Sequence, residues 1–124
     1  MNEAKTVLVV EDDQSLRTVI RMVLEHASYE VLEARHGIAA LELMETEMPD
    51  LVIADMRMPL MNGVELIGRL RSSPATASVP IVLLSGLVPD PEVSSLANAV
   101  VVKPFEPADL LAAISGALKA KGGD

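Results

Sequence analysis

The sequence predicts an α/β fold, an open parallel sheet with helices on both faces. Four short apolar runs and one run mixed with charges recur along its 124 residues, segments with apolar positions three and four apart lie between them, and the four apolar runs end in side chains able to do chemistry. A continuous apolar run with β-branched members suits a strand buried on both faces. Strands alternating with helices then imply parallel pairing through right-handed crossovers.

The first run, Thr6–Val10, gives β1 and passes into Glu11, Asp12 and Asp13. From Gln14 to about His26, Leu16, Val19, Ile20, Val23 and Leu24 fall on one helix face, which gives α1 with Asp13 as its N-cap. Glu30–Ala34 mixes charged and apolar residues as an edge strand does, and is β2; Ala39–Met44 is α2, with Leu41 and Met44 inward. Leu51–Asp55 is β3, four apolar residues running into an acid, with Pro59 stopping the segment soon after. Asn62-Gly63 turns the chain into α3, where Val64, Ile67 and Leu70 share a face, and Ser72 to Ser78 is a loop of small residues. Val79–Leu84 is β4, ending in Ser85-Gly86. Leu87 to Asn98 has room only for a shortened α4, with Asp90 as N-cap, Pro91 at the first helical position and Asn98 to close it. Ala99–Val102 is β5 and ends in Lys103-Pro104. The last helix, α5, begins after Pro107, buries Leu110, Leu111, Ile114 and Leu118, and leaves 119–124 as a frayed tail. With no internal repeat, low-complexity segment or interior linker, residues 1–124 read as a single domain.

A net charge of −8 disfavours direct contact with nucleic acid or an anionic membrane and points instead to a cation or a protein partner. The absence of cysteine removes disulfides, thiolate metal sites and thiol catalysis. No apolar stretch has the length of a membrane span and no signal-like segment opens the chain, so the expected location is the cytoplasm.

In an open parallel sheet, ligands bind at the carboxyl ends of the strands. That rim collects Glu11 and Asp12 after β1, Asp55 after β3, Ser85 after β4 and Lys103 after β5. Each alone has a plain explanation as a turn, a cap or a solvated charge; their joint placement does not. Two carboxylates about 5 Å apart at an effective dielectric near 20 repel by roughly 3 kcal/mol, so the cluster asks for a cation. Oxygen-only donors suit a hard ion, and a site with few carboxylates and room for water and phosphate oxygens favours Mg2+. Asp55 then becomes a candidate nucleophile toward a phosphoryl group, with Lys103 and the Ser85 hydroxyl to meet its charge.

The segments VLVVEDD (7–13), LVIADMRMPLMNG (51–63), IVLLSG (81–86) and VVKPF (101–105) together resemble the receiver domains of two-component response regulators, and the likeness covers almost the whole chain. The resemblance implies a flavodoxin-like (βα)5 sheet of order 2-1-3-4-5. It implies that Asp55 is the phosphoacceptor, Asp12 a direct Mg2+ ligand, Glu11 a ligand through water or more loosely, and the Arg57 backbone carbonyl a further ligand. By the same resemblance Asp13 stands outside the metal pair, Ser85 and Lys103 occupy the matching hydroxyl and lysine positions, and the Lys103-Pro104 bond is expected to be cis. Three features stand apart from the usual pattern. Val100 occupies a position where the family often has an aromatic residue, the segment between Ser85 and Lys103 is short by about one helical turn, and Arg57 places a guanidinium beside the site.

The resemblance therefore implies a phosphorylation-dependent switch that takes a phosphoryl group from a histidine kinase or a histidine phosphotransfer protein and signals to a downstream protein target, with homodimerisation left open. By the same resemblance it would be a self-catalysed phosphoacceptor rather than an enzyme acting on a separate substrate. A receiver-like interaction module that has stopped using phosphate is the alternative. An aspartate-nucleophile phosphohydrolase of the haloacid-dehalogenase type fits less well, because that class wants a second aspartate where Arg57 stands. A dinucleotide binder is disfavoured by Glu11-Asp12-Asp13 after β1, where phosphate-cradling amides are needed, and by the absence of GxGxxG.

Overall fold

The structure, a computed structural model, describes residues 4–58 and 60–122; Pro59, expected to stop the β3 segment, and residues 123 and 124 of the expected tail lie outside the described residues. Five parallel strands form one sheet in the order β2-β1-β3-β4-β5. They are β1 Thr6–Val10, β2 Glu30–Ala34, β3 Leu51–Asp55, β4 Ile81–Ser85 and β5 Ala99–Val102. Side chains alternate across the pleat, so each central strand feeds two cores. Leu8, Val10, Val52, Ala54, Ile81 and Leu83 meet α2 and α3 on one face, while Val7, Val9, Leu51, Ile53, Val82 and Leu84 meet α1 and α5 on the other. Fully burying one such aliphatic side chain contributes about 1.5 to 3 kcal/mol, which is why the three central strands read as unbroken apolar runs.

Helix α1 spans Gln14–His26, and the Asp13 carboxylate accepts from the Ser15 and Leu16 amides at 2.9 and 3.3 Å, as its N-cap role requires. Helix α2 spans Gly37–Met44, two residues earlier than expected, because the His36 imidazole caps it: Nδ1 accepts from the Ala39 amide at 3.1 Å. Met44 is buried as expected, together with Gly37 and Ala40, but Leu41 is only half-buried. In α3, Gly63–Ser72, the buried residues are Gly63, Leu66, Ile67 and Leu70, and Val64 is half-buried. Its start is a capping box: the Asn62 side chain accepts from the Glu65 amide at 2.9 Å and the Glu65 carboxylate from the Asn62 amide at 3.1 Å.

β4 begins at Ile81 rather than Val79. The Val79 amide is turned back onto the Thr76 carbonyl at 3.1 Å, and Pro80 has no N–H for the ladder. Helix α4 is a single turn, Pro91–Ser94. Asp90 stands at its N-cap position, but its side chain caps nothing, and Ser95 rather than Asn98 ends the helix. Asn98 instead ties β5 to β4, its Oδ1 accepting from the Ile81 amide at 2.8 Å and its own amide donating to the Ile81 carbonyl at 2.7 Å. Arg71, at the end of α3, closes the same corner by donating to the carbonyls of Leu96, Ala77 and Val79 and to Asn98 Oδ1 at 2.7 to 3.0 Å.

Helix α5 runs Pro107–Gly122, so residues 119–122 of the expected tail are helical; Ala, Leu and Lys are strong helix formers. Leu110, Ile114 and Ala117 are its buried residues, with Leu111 and Leu118 half-buried beside them. No helix among the described residues is long and apolar enough to cross a membrane.

Candidate functional site

The site lies where β1 and β3, neighbours at the centre of the sheet, deliver acids at their carboxyl ends. Glu11 and Asp55 are buried, 1% and 4% exposed, and Asp12 is exposed. One carboxylate oxygen from each of Glu11, Asp12 and Asp55 lies within 4.8 Å of the others. Lys103, at the end of β5, reaches the same place: its Nζ donates to Asp55 Oδ2 at 2.5 Å and lies 3.9 Å from Glu11 Oε1. The Arg57 amide donates to Asp55 Oδ1 at 3.1 Å, so both oxygens of that carboxylate are held. The Arg57 side chain is exposed and, with Asp12, Met56, Met58 and Asn62, lines a cleft of about 410 Å3 beside the acids.

These contacts split the two buried acids. Burial pushes the Glu11 pKa up to about 8, helped by its hydrogen bond with Asp55. Burial would also raise Asp55, but hydrogen bonds with Glu11, Lys103 and the Arg57 amide outweigh it and hold its pKa below the usual value. The opposite shifts drive the two carboxyls apart, Glu11 toward its protonated form and Asp55 toward its ionised form. In its ionised form Glu11 Oε1 is a buried acceptor with no hydrogen-bond partner, while Oε2 accepts from the Asp13 amide at 3.1 Å. An orphaned buried oxygen facing two further carboxylates, with no nitrogen or sulfur donor in the cluster, fits a hard divalent cation such as Mg2+.

Of the residues expected on this rim, Glu11, Asp12, Asp55 and Lys103 are brought together. Ser85 ends β4 one residue beyond the Asp55–Leu84 pairing and is 3% exposed. Its hydroxyl is engaged by the turn that follows: it donates to the Leu87 carbonyl and accepts from the Leu87 amide at 3.1 Å. Asp13 is outside the cluster, capping α1, and the Lys103-Pro104 peptide is cis. Val100 is half-buried and packs with the α2/α3 core. Sequence reasoning missed Gly63, for which Asn62-Gly63 signalled only a turn. A Cβ there would lie 2.5 Å from the Asp55 carbonyl oxygen, and the Gly63 amide donates to the Met56 carbonyl at 3.1 Å, so glycine lets α3 rest directly on the backbone that carries Asp55.

Residues 7–115 match the family described as the response regulator receiver domain. The phosphate regulon transcriptional regulatory protein PhoB of Pseudomonas aeruginosa is 34% identical over 122 residues, 95% of this chain; the chain spans 53% of that protein, about half its length. Among solved structures, the response regulator TrrA of Thermotoga maritima in complex with Mg2+ and BeF is 30% identical with a TM-score of 0.84, covering 91% of this chain and 98% of that one. The receiver domain of the sensor histidine kinase PA1611 of Pseudomonas aeruginosa, with a magnesium ion in its active-site cleft, is 27% identical with a TM-score of 0.85, covering 94% and 99%. With residues 7–115 matching the family and five parallel strands in the order β2-β1-β3-β4-β5, this chain belongs to the response regulator receiver domain family.

Proposed function

We propose that this domain is a phosphorylation switch in which Asp55 accepts a phosphoryl group from the phosphohistidine of a histidine kinase or phosphotransfer protein. The observation that carries the reading is the meeting of Lys103 Nζ and the Arg57 amide on the Asp55 carboxylate, with the Glu11 and Asp12 oxygens within 4.8 Å. A carboxylate held ionised and fixed at both oxygens is a nucleophile whose orientation is set before its partner arrives. Asp12 and Asp55 would hold Mg2+ directly, with the Arg57 carbonyl as a third ligand and Glu11 acting through water. When bound, Mg2+ supplies positive charge between the acid cluster and the entering phosphoryl oxygens.

In the transfer, an Asp55 oxygen forms a bond to phosphorus as the phosphorus–nitrogen bond of the donor breaks, and the imidazole leaves with that bond's electrons. Lys103 follows the charge, passing from Asp55 Oδ2 to a phosphoryl oxygen. Ser85 must give up its bond to the Leu87 carbonyl to donate to another phosphoryl oxygen, so residues 86–88 re-pack when the switch is set. Leu87 and Val88 are 73% and 81% exposed, which places two apolar side chains on that moving segment, available to a downstream protein. The relatives include both transcriptional regulators and a sensor histidine kinase, so the receiver occurs beside more than one kind of neighbouring domain.

The test is intact mass after incubation with Mg2+ and acetyl phosphate. Wild type gains one phosphoryl group and Asp55→Asn gains none. No adduct on wild type with any phosphoryl donor overturns the switch and leaves a phosphate-independent interaction module.

A further inference from the structure

β1 and β2 pair in register as far as Val10 and Ala34, and the Glu11 amide adds a rung by donating to the Ala34 carbonyl at 3.0 Å. β2 stops there, so the Glu11 carbonyl runs past the end of the ladder. Its partner is a side chain: Arg17 Nη1, from the first turns of α1, donates to it at 2.7 Å. The guanidinium is fixed in turn, with Nε on Glu33 Oε1 at 2.9 Å, while Arg21 Nη1 holds Glu33 Oε2 at 3.1 Å. The Arg17 side chain is 15% exposed, the most enclosed member of this chain of charges.

The carbonyl so held belongs to the peptide joining Glu11 to Asp12. Rotation of that peptide would swing both carboxylates, one on each side of it. With the amide of the preceding peptide pinned to β2 and its own oxygen pinned to Arg17, the peptide keeps Glu11 directed inward and Asp12 outward. Most exposed ion pairs contribute little, but a charged donor on a backbone carbonyl, in a part-buried place, is a stronger constraint.

We infer that Arg17 is a positioning residue for the metal site, aiming the Glu11 and Asp12 carboxylates through the Glu11 carbonyl, with Glu33 and Arg21 holding it in place. The inference rests on the metal-assisted reading above. Partners that orient metal ligands without touching the metal are typically worth about 10- to 100-fold in affinity.

The experiment titrates Mg2+ into wild type, Arg17→Met, Arg17→Lys and Glu33→Gln by calorimetry, then measures the acetyl phosphate reaction against Mg2+ concentration. Arg17→Met should raise the Mg2+ Kd and the half-saturating Mg2+ together by about tenfold, at the lower end of that range, and leave the rate at saturating Mg2+ within about twofold of wild type. Arg17→Lys, which keeps one donor, falls between, and Glu33→Gln shows a smaller rise. Arg71→Met is the control: it removes four hydrogen bonds at the amino end of β4 and should lower Tm without moving the Mg2+ Kd. A folded Arg17→Met with wild-type Mg2+ affinity overturns the inference; so does wild-type affinity in both Arg17→Lys and Glu33→Gln, should Arg17→Met not fold. Wild type that binds no Mg2+ overturns the parent reading and this one with it.

Discussion

Gly63 and Gly68 lie five residues apart on α3 and set opposite demands on a side chain. A Cβ on Gly63 would lie 2.5 Å from the Asp55 carbonyl oxygen and 2.9 Å from the Met56 Cα, both backbone atoms that cannot swing aside. A Cβ on Gly68 meets nothing within 4 Å. Gly63→Ala should therefore cost about 1 to 3 kcal/mol, as overpacking does, and also slow phosphorylation by shifting the Asp55 backbone. Gly68→Ala should stabilise by about 0.5 to 1 kcal/mol, the helix-interior difference between the two residues, and leave phosphorylation unchanged. Urea unfolding of both variants alongside an acetyl phosphate time course checks the pair. A Gly63→Ala protein as stable and as reactive as wild type would show that α3 does not press on the end of β3.

At the scale of elements, α1 ends on a residue that strains it. The Tyr29 amide donates to the Leu24 carbonyl and the Ser28 amide to the Glu25 carbonyl, both at 3.0 Å, the paired closure that follows a left-handed residue. That residue is Ser28, with φ 73°, where glycine is the usual occupant. Ser28→Gly should stabilise by about 0.5 to 1 kcal/mol, the relief of the left-handed backbone less glycine's extra freedom when unfolded; an unchanged or lower Tm counts against it. The sequence was readable wherever the cause of an element is local. Four of the strands announce themselves as apolar runs and β2 as a mixed edge, and Asp13 caps α1 because its bonds reach only two and three residues ahead. Causes that are distant or atypical were not readable. Asn98 looked like a helix end but bonds Ile81, 17 residues back in β4, a partner that exists only once the sheet has formed. His36 caps α2 through an imidazole nitrogen, outside the usual cap residues, so α2 was expected to start too late. The rim of Glu11, Asp12, Asp55 and Lys103 was legible because strand ends are; the direction of the Ser85 hydroxyl was not, since a two-residue turn decides it.

For the whole molecule, the site and the fold oppose one another, and pH reads out the opposition. Folding buries Glu11 beside Asp55 and raises its pKa from 4.5 to about 8, chiefly through burial. The folded state therefore holds a proton that the unfolded state has released, and in that window stability declines as pH rises. This contribution is complete below about 4.5 and gone above about 8. Asp55, whose pKa is lowered, acts the other way, but its stabilisation is lost only in acid, below the usual carboxylate value, and so leaves the neutral range to Glu11. In chelator, Tm should fall from about pH 6 to about pH 9. A Mg2+ ion bound at the cluster would invert the slope of its own contribution, because below about 8 it must displace the Glu11 proton and above it does not. At ten times its Kd, Mg2+ would add about 1.4 kcal/mol, an expected rise of roughly 5 °C for a domain of this size. The gap between melts with Mg2+ and with chelator, at fixed Mg2+, should therefore widen from about pH 6 to about pH 9. Matched calcium melts separate a hard-ion site from a Mg2+ preference. A gap independent of pH would mean that Glu11 is ionised before the metal binds, and that burial at the end of β1 does not hold its proton. Were the gap to close as pH rises, the carboxylates would not be the metal's ligands at all.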